Sequence, residues 1–389
     1  MDQRLAFIAE WLRDEWTMTE LAERYGISRR TAYKWVDRYE TDPAAGLADR
    51  SRAPKTQGRA MTETVRAAIL GLRGAHPHWG PKKLRAVLRE RQPDTPWPAA
   101  STMGDLLHRE GISQPRRRTR YMVPLTQPLA AAQAPNDVWT ADFKGWFRTG
   151  DQTRCDPLTV ADACSRFVFC CRIVVPSERG VRPRFERAFR EYGLPLAMRT
   201  DNGSPFATTG AGHLSRLAGW WLKWGIQLDR IDRGHPEQNG RHERFHLTLQ
   251  QETTTPPAPT PSAQQRRFDR MRREFNTERP HEALGQRPPA RLYTPSPRPY
   301  PARLDDPWYD ASHQVRRVRD RGQIKWDGDL IFVSEAVCGE LVGLAETESG
   351  DWRVHFMQVE LGRIDRTTRR FRPAWHGRRG EARVSSLTP

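Results

Sequence analysis

At Asp137 the hydrophobic rhythm of the chain changes, and that switch constrains the fold more than any single motif. Upstream, apolar residues recur every three or four positions; downstream they alternate or run together in short β-rich stretches. A chain of 389 residues built this way requires several domains, all-helical first and α/β afterwards. The opening segment has helical spacing at Leu5, Ile8 and Leu12, and "TMTELAERYGISRRTAYKWVDRY" adds two helices. Thr17 and Glu20 fit a capping box, Gly26 sits at the turn, and Ser28 can cap the third helix. This is helix-turn-helix spacing. It places Ile27, Ala32 and Trp35 toward the core and leaves Arg29, Arg30, Tyr33 and Lys34 for a DNA groove. An ordinary three-helix bundle with a basic solvated face has the same pattern.

After the linker "DPAAGLADRSRAPK", a second helical unit runs from about Thr62 to Gly111. Pro81 opens one helix with Leu84, Val87 and Leu88 on a face, and Ser101 is expected to cap another. A second helix-turn-helix module and a packing or dimerisation module would share this pattern. Arg116, Arg117, Arg118 and Arg120 then fall in a stretch without apolar periodicity, suited to gripping phosphates.

In the α/β part, "VWTADF" alternates, "PLTVADACSRFVFCCRIVV" gives two strands around a turn at Cys164 to Arg166, and "PLAMRTDNGSPF" is a short strand running into Asn-Gly. Helices are expected at "VRPRFERAFREYG" and "QQRRFDRMRREFN". The tail returns to β character, with a hairpin around Asp327-Gly328, and a small β-barrel is the expected form. The expected domains are 1–50 and 60–115 (helical), 116–134 (basic linker), 135–295 (α/β core) and 310–375 (β).

Lys plus Arg, 64, exceeds Asp plus Glu, 47, giving a net charge of +17. Such a surplus attracts polyanions by counterion release, and nucleic acid is the expected partner. The N-terminus has no apolar stretch of signal-peptide length, so a cytoplasmic, nucleoid-associated location without membrane contact is expected. Five cysteines without a CxxC pair indicate neither a disulfide framework nor a zinc knuckle.

Asp142 lies on the first expected strand and Asp201 at the end of another. Carboxylates presented from sheet ends, with a third from a helix, suit hard divalent cations. Either aspartate alone reads more readily as a turn residue or N-cap than as a catalytic group; the combination changes that balance. "WTADFKG", "LTVADACSRF", "RTDNGSPF", "HPEQNGRHERFH" and "FNTERPHEAL", in this order, resemble the bacterial insertion-sequence transposases related to retroviral integrases. The resemblance implies a ribonuclease-H-like catalytic core, an Asp, Asp, Glu triad holding two Mg²⁺ or Mn²⁺ ions, strand transfer between double-stranded element ends and target DNA, and at least a dimer on DNA. It also marks Asp162 as structural rather than catalytic.

Two glutamates compete for the third place. Glu237 is 36 positions after Asp201 (237 minus 201), the interval familiar from retroviral integrases, but Pro236 and Gln238-Asn239-Gly240 put it in a loop. Glu243 falls in the first turn of a helix starting near Gly240, where a ligand is held firmly, and the family's glutamate follows this glycine by three. The expected triad is Asp142, Asp201 and Glu243. His235, Asn239, Arg241 and His242 could contact DNA, with Lys144 and Arg244 as further phosphate contacts. His242, Glu243 and His246 also spell HExxH, the zinc-protease helix, which explains neither Asp142 nor the basic surplus. A DNA-binding regulator derived from a transposase and a simple nuclease are further alternatives.

Overall fold

The computed structural model describes residues 2–49, 61–113, 131–232, 235, 238 and 240–374. It divides into two compact units, Met1–Thr62 and Glu63–Pro389.

The first unit holds α1 (Asp2–Trp11), α2 (Met18–Arg24) and α3 (Arg29–Thr41). Thr17 and Glu20 form the capping box, and Ser28 accepts from the Thr31 N–H at the start of α3. Phe7, Ile8, Leu21, Ala22, Ala32, Val36 and Leu47 make the core, with Ile27 and Trp35 packed against it. Leu5 and Leu12 are about half exposed, at 50% and 57%, so Phe7 rather than these two anchors α1. The reason is that Phe7 meets Tyr25 and Trp35 edge-on, both at 5.4 Å, a contact that simple apolar spacing does not weigh.

The second unit begins with α4 (Glu63–Ala75), α5 (Pro81–Arg91) and α6 (Ala100–Arg109). Leu84, Val87 and Leu88 are buried as expected. Ser101 lies inside α6, however, whose N-cap is Ala99 without a side-chain cap. This helix is held by burial of Met103, Leu106 and Leu107 instead. The three helices dock on the α/β core through His76 to Glu274, Lys82 to Glu282 and Arg291 to Glu90.

The core sheet contains β1 (Val138–Phe143), β4 (Pro157–Asp162), β5 (Val168–Ile173), β6 (Ala197–Thr200) and β7 (Gln227–Arg230), in the order β5-β4-β1-β6-β7. Between β1 and β4, a minor hairpin joins β2 (Phe147–Arg148) to β3 (Arg154–Cys155). The β5, β4 and β1 pairings are antiparallel, whereas β1, β6 and β7 are parallel. This is a ribonuclease-H-like sheet. Trp139, Ala141, Leu158, Val160 and Met198 point to one face, where α7 (Glu178–Tyr192) and α8 (Arg216–Lys223) cover them. On the other face, α9 (Gly240–Leu249) and α10 (Pro261–Thr277) bury Phe245, Leu249, Phe268, Met271 and Phe275 against Val168 and Cys171.

The tail contributes β8 (His313–Arg317), β9 (Gln323–Trp326), β10 (Asp329–Phe332), β11 (Leu341–Glu346), β12 (Trp352–Phe356), β13 (Val359–Ile364) and β14 (Phe371–Pro373). Of the expected small β-barrel, the structure shows an antiparallel sheet β14-β13-β12-β11-β8 and a separate β9–β10 hairpin. Its buried residues join the same cluster as α8.

The edge strand β5 is closed by a helix. Asn276 of α10 accepts from the Val168 N–H and donates to the Val168 carbonyl, at 2.9 and 3.0 Å. Gln265 accepts from the Ile173 N–H and donates to the Cys171 carbonyl, both at 2.9 Å. Eleven helical residues rise ~16.5 Å and five strand residues span about the same, so two amides on one helix match both ends of the edge. Removing Asn276 should strip the Val168 N–H of its side-chain acceptor and leave the Val168 carbonyl only the longer bond from Arg272, at 3.4 Å. Asn276→Ala is expected to cost about 2 kcal/mol in urea unfolding; a loss within ~0.5 kcal/mol, the usual scatter of surface changes, would contradict this.

Candidate active site

Asp142 and Asp201 meet through strand register. On β1 and β6, Thr140 pairs with Arg199 and Ala141 with Thr200, so the next residues, Asp142 and Asp201, are neighbours at the ends of parallel strands. Asp142 follows Thr140 by two and therefore points to the α9 face. Asp201 is partly buried; desolvation raises its pKa, opposed by the Gly203 N–H that its Oδ1 accepts at 3.2 Å. Its loop is tied to the end of β7 by Asn202, whose side chain donates to the Ile231 carbonyl at 2.8 Å.

Thr159 of β4 is the register partner of Asp142. Its hydroxyl donates to the Asp142 carbonyl at 3.1 Å, and the same oxygen lies 2.8 Å from Nε2 of both His242 and His246. With its one hydrogen so placed, the oxygen's lone pairs receive an N–H from each imidazole. Helix α9 is thereby fixed over the strand that carries Asp142. Burial pushes His242 down to about 4, opposed by a hydrogen bond to the Thr159 backbone. His246 falls to about 2 through burial first, then the charges of His242 and Lys144. Both rings are neutral at pH 7. Thr159 Oγ1 occupies the point where the two Nε2 atoms converge, which a zinc ion would need. Among the described residues, no group of three or more His, Cys, Asp or Glu is placed to hold a metal.

Glu243 is exposed in the first turn of α9. The resemblance pointed to it, but Thr159, which positions its helix, had no signal in the sequence: one threonine in a β-rich run becomes special only through register. Arg241 donates to the Ala163 carbonyl at 2.7 Å, so part of its guanidinium serves the β4–β5 turn. Arg244 is exposed, and Lys144 is half-buried with its pKa lowered by desolvation. Arg29, Arg30, Tyr33 and Lys34 all lie exposed on α3. Arg116, Arg117, Arg118, Arg120, Glu237 and Asn239 lie outside the described residues. Asp162 is buried, and its carboxylate accepts from the Asn136 N–H and from the Ser165 N–H and hydroxyl, a structural role.

Comparison with known families finds two kinds of domain in the chain. The integrase core domain matches residues 132–236 and 224–289, a homeodomain-like domain matches 31–107, and a helix-turn-helix domain matches 3–55. The chain thus carries an integrase core domain behind helix-turn-helix domains, and it is similar to proteins of insertion elements. Relatives of this integrase-core protein include the insertion element IS476 uncharacterized 39.2 kDa protein of Xanthomonas euvesicatoria, 26% identical over 290 residues, which are 72% of this chain and 79% of that protein. The insertion element IS407 uncharacterized 31.7 kDa protein of Burkholderia multivorans is 33% identical over 191 residues, covering 47% of this chain and 65% of that one. The HTLV-2 integrase catalytic core domain in complex with magnesium aligns at TM-score 0.33 and 15% identity, over 41% of this chain and 98% of its own. The simian T-cell lymphotropic virus intasome in complex with a PP2A regulatory subunit aligns at 0.35 and 14%, over 75% and 97%. No described helix is long and apolar enough to cross a membrane.

The buried imidazoles predict an acid-sensitive fold. Their folded values of about 4 and about 2 lie below the ~6.5 of an unfolded histidine. Between these limits the unfolded chain binds more protons, so stability is full above ~6.5 and falls as the pH drops. Urea midpoints should decrease from pH 7 to pH 5. Thr159→Val should lower the midpoint at pH 7 by stranding two buried imidazole N–H groups, on the order of 2 kcal/mol. An unchanged midpoint in that variant would contradict the hydrogen-bond assignment.

Proposed function

We propose that this integrase-core protein is a transposase that binds the ends of its mobile element and catalyses metal-dependent DNA nicking and strand transfer, with Asp142, Asp201 and Glu243 as the catalytic residues. The observation that supports this reading is the in-register pairing of β1 with β6, which makes Asp142 and Asp201 backbone neighbours at the strand ends, with Glu243 in the first turn of α9. An all-oxygen donor set fits Mg²⁺ or Mn²⁺ and not zinc. Two such ions at these carboxylates would supply activation of the attacking oxygen and stabilisation of the leaving one.

In the first step a water oxygen attacks the phosphorus at the element end, the bond to the 3′ oxygen breaks, and that oxygen leaves as a 3′-hydroxyl. In the second, this hydroxyl attacks a phosphodiester of target DNA; one P–O bond forms and one breaks, and its proton passes to solvent. No protein nucleophile is required. The residues of the chain bind and orient. The helix-turn-helix unit contacts duplex DNA through Arg29, Arg30, Tyr33 and Lys34. Arg116, Arg117, Arg118 and Arg120 grip phosphates, and Asn239 and Arg241 touch DNA beside the site. Joining two ends in concert calls for at least a dimer on DNA, in a cytoplasmic, nucleoid-associated setting. In this reading the β sheet of the tail completes a small barrel.

The test uses DNA from the flanks of the protein's own gene, with Mg²⁺, and scores nicking and joining. Glu243→Gln is expected to abolish both steps, by at least 10³-fold, while DNA binding survives; Glu237→Gln is expected to retain them. Loss confined to Glu237→Gln would redraw the triad. Binding by the intact chain without any cut product would establish a regulator instead.

A further inference from the structure

The turn between β4 and β5 is built around an arginine that forms no ion pair with a carboxylate among the described residues. Arg166 sits there with φ of 67°, and its Nε is shut off from solvent with no hydrogen-bond partner. The nearest acid in sequence, Asp162, is committed: Oδ1 takes the Asn136 N–H at 2.7 Å, and Oδ2 takes the Ser165 N–H and hydroxyl at 2.6 and 2.7 Å. The first turn of α9 brings two more cations to the same place. Arg241 reaches the turn through its bond to the Ala163 carbonyl, and Arg244 follows one turn on. Among the described residues none of these three arginines forms an ion pair with a carboxylate. Glu282, which feels the charge of Arg244, is paired with Lys82.

Burying one guanidinium beside two others is costly in the free protein. Desolvation, and then the fields of Arg241 and Arg244, push Arg166 down to about 10. A bound anion with several acceptor oxygens would relieve that repulsion, and guanidinium groups recognise phosphate through paired N–H donors. The N-terminal turn of α9 adds its own positive end. We infer that Arg166, Arg241 and Arg244 form one phosphate-binding site, which holds a backbone phosphate of the DNA strand entering alongside Glu243. The site rests on the proposed function for its ligand, duplex DNA, and extends it by assigning Arg166, which lies in the "ACSRF" turn that the triad leaves unused.

The experiment measures binding of the full-length chain to a duplex oligonucleotide across 50 to 200 mM salt, for the intact protein, Arg166→Gln, Arg244→Gln, and Arg184→Gln on the opposite face as a control. Each lost phosphate contact lowers the slope of log affinity against log salt by about 0.9, so the fall in affinity over this range should shrink by roughly 3.5-fold. That decrease is expected for Arg166→Gln and for Arg244→Gln, with Arg184→Gln unchanged. If Arg166→Gln does not fold, exposed Arg244 carries the decision. Slopes equal to the intact protein's in the folded variants would overturn the site, even if the chain cuts DNA. A lowered slope in a chain that never nicks DNA would keep the site and remove the transposase reading.

Discussion

Parallel pairing of β1 with β6 is the constraint on which the rest of the molecule depends. The pair fixes Asp142 beside Asp201 at about one interstrand spacing, roughly 4.8 Å, without asking either side chain to search for the other. A parallel pair needs a crossover between its strands, and here the crossover passes through β4, β5 and α7 before returning as β6. The antiparallel half of the sheet thus serves the parallel half. It supplies Thr159 opposite Asp142, and through Thr159 it receives α9.

The outer elements keep this arrangement in place. Helix α10 closes the free edge of β5 with two side-chain amides, which protects the sheet from pairing with another chain. The tail sheet packs on α8 and on the loop that follows Asp201. Gly212, at φ 61°, would bring an added Cβ within 3.2 Å of the Glu360 carbonyl oxygen. Lys223 of α8 pairs with Glu340 at 2.8 Å, largely out of solvent. The loop bearing the second aspartate is therefore braced from the C-terminal side, a role for the tail that its sequence does not announce.

Much of this was legible in the residues, for physical reasons. β1 coincides with "VWTADF" because alternation and strand geometry share one period, and Gly193 stops α7 because its φ of 80° favours glycine. Phe268, Met271 and Phe275 face the core as their spacing requires. What stayed hidden depends on contacts between elements far apart in sequence. Thr159 and Asp142 are neighbours only after β4 pairs with β1, and Asn276 meets Val168 across 108 residues. Leu5 and Leu12 misled because a short helix on a small core can bury only a narrow stripe. The HExxH coincidence has a similar origin: two histidines one turn apart suit a shared hydroxyl as well as they suit a metal.

Asp142 and Asp201 are proposed to form, together, a divalent-cation site. Mn²⁺ binding to the DNA-bound chain, followed by paramagnetic resonance, tests it most directly, because it reads occupancy rather than turnover. Mn²⁺ binding by the intact chain is expected, weakened by at least tenfold in affinity in both Asp142→Asn and Asp201→Asn, and kept in Asp162→Asn if that variant stays folded. Equal Mn²⁺ binding by the intact chain and both triad variants would contradict the proposal.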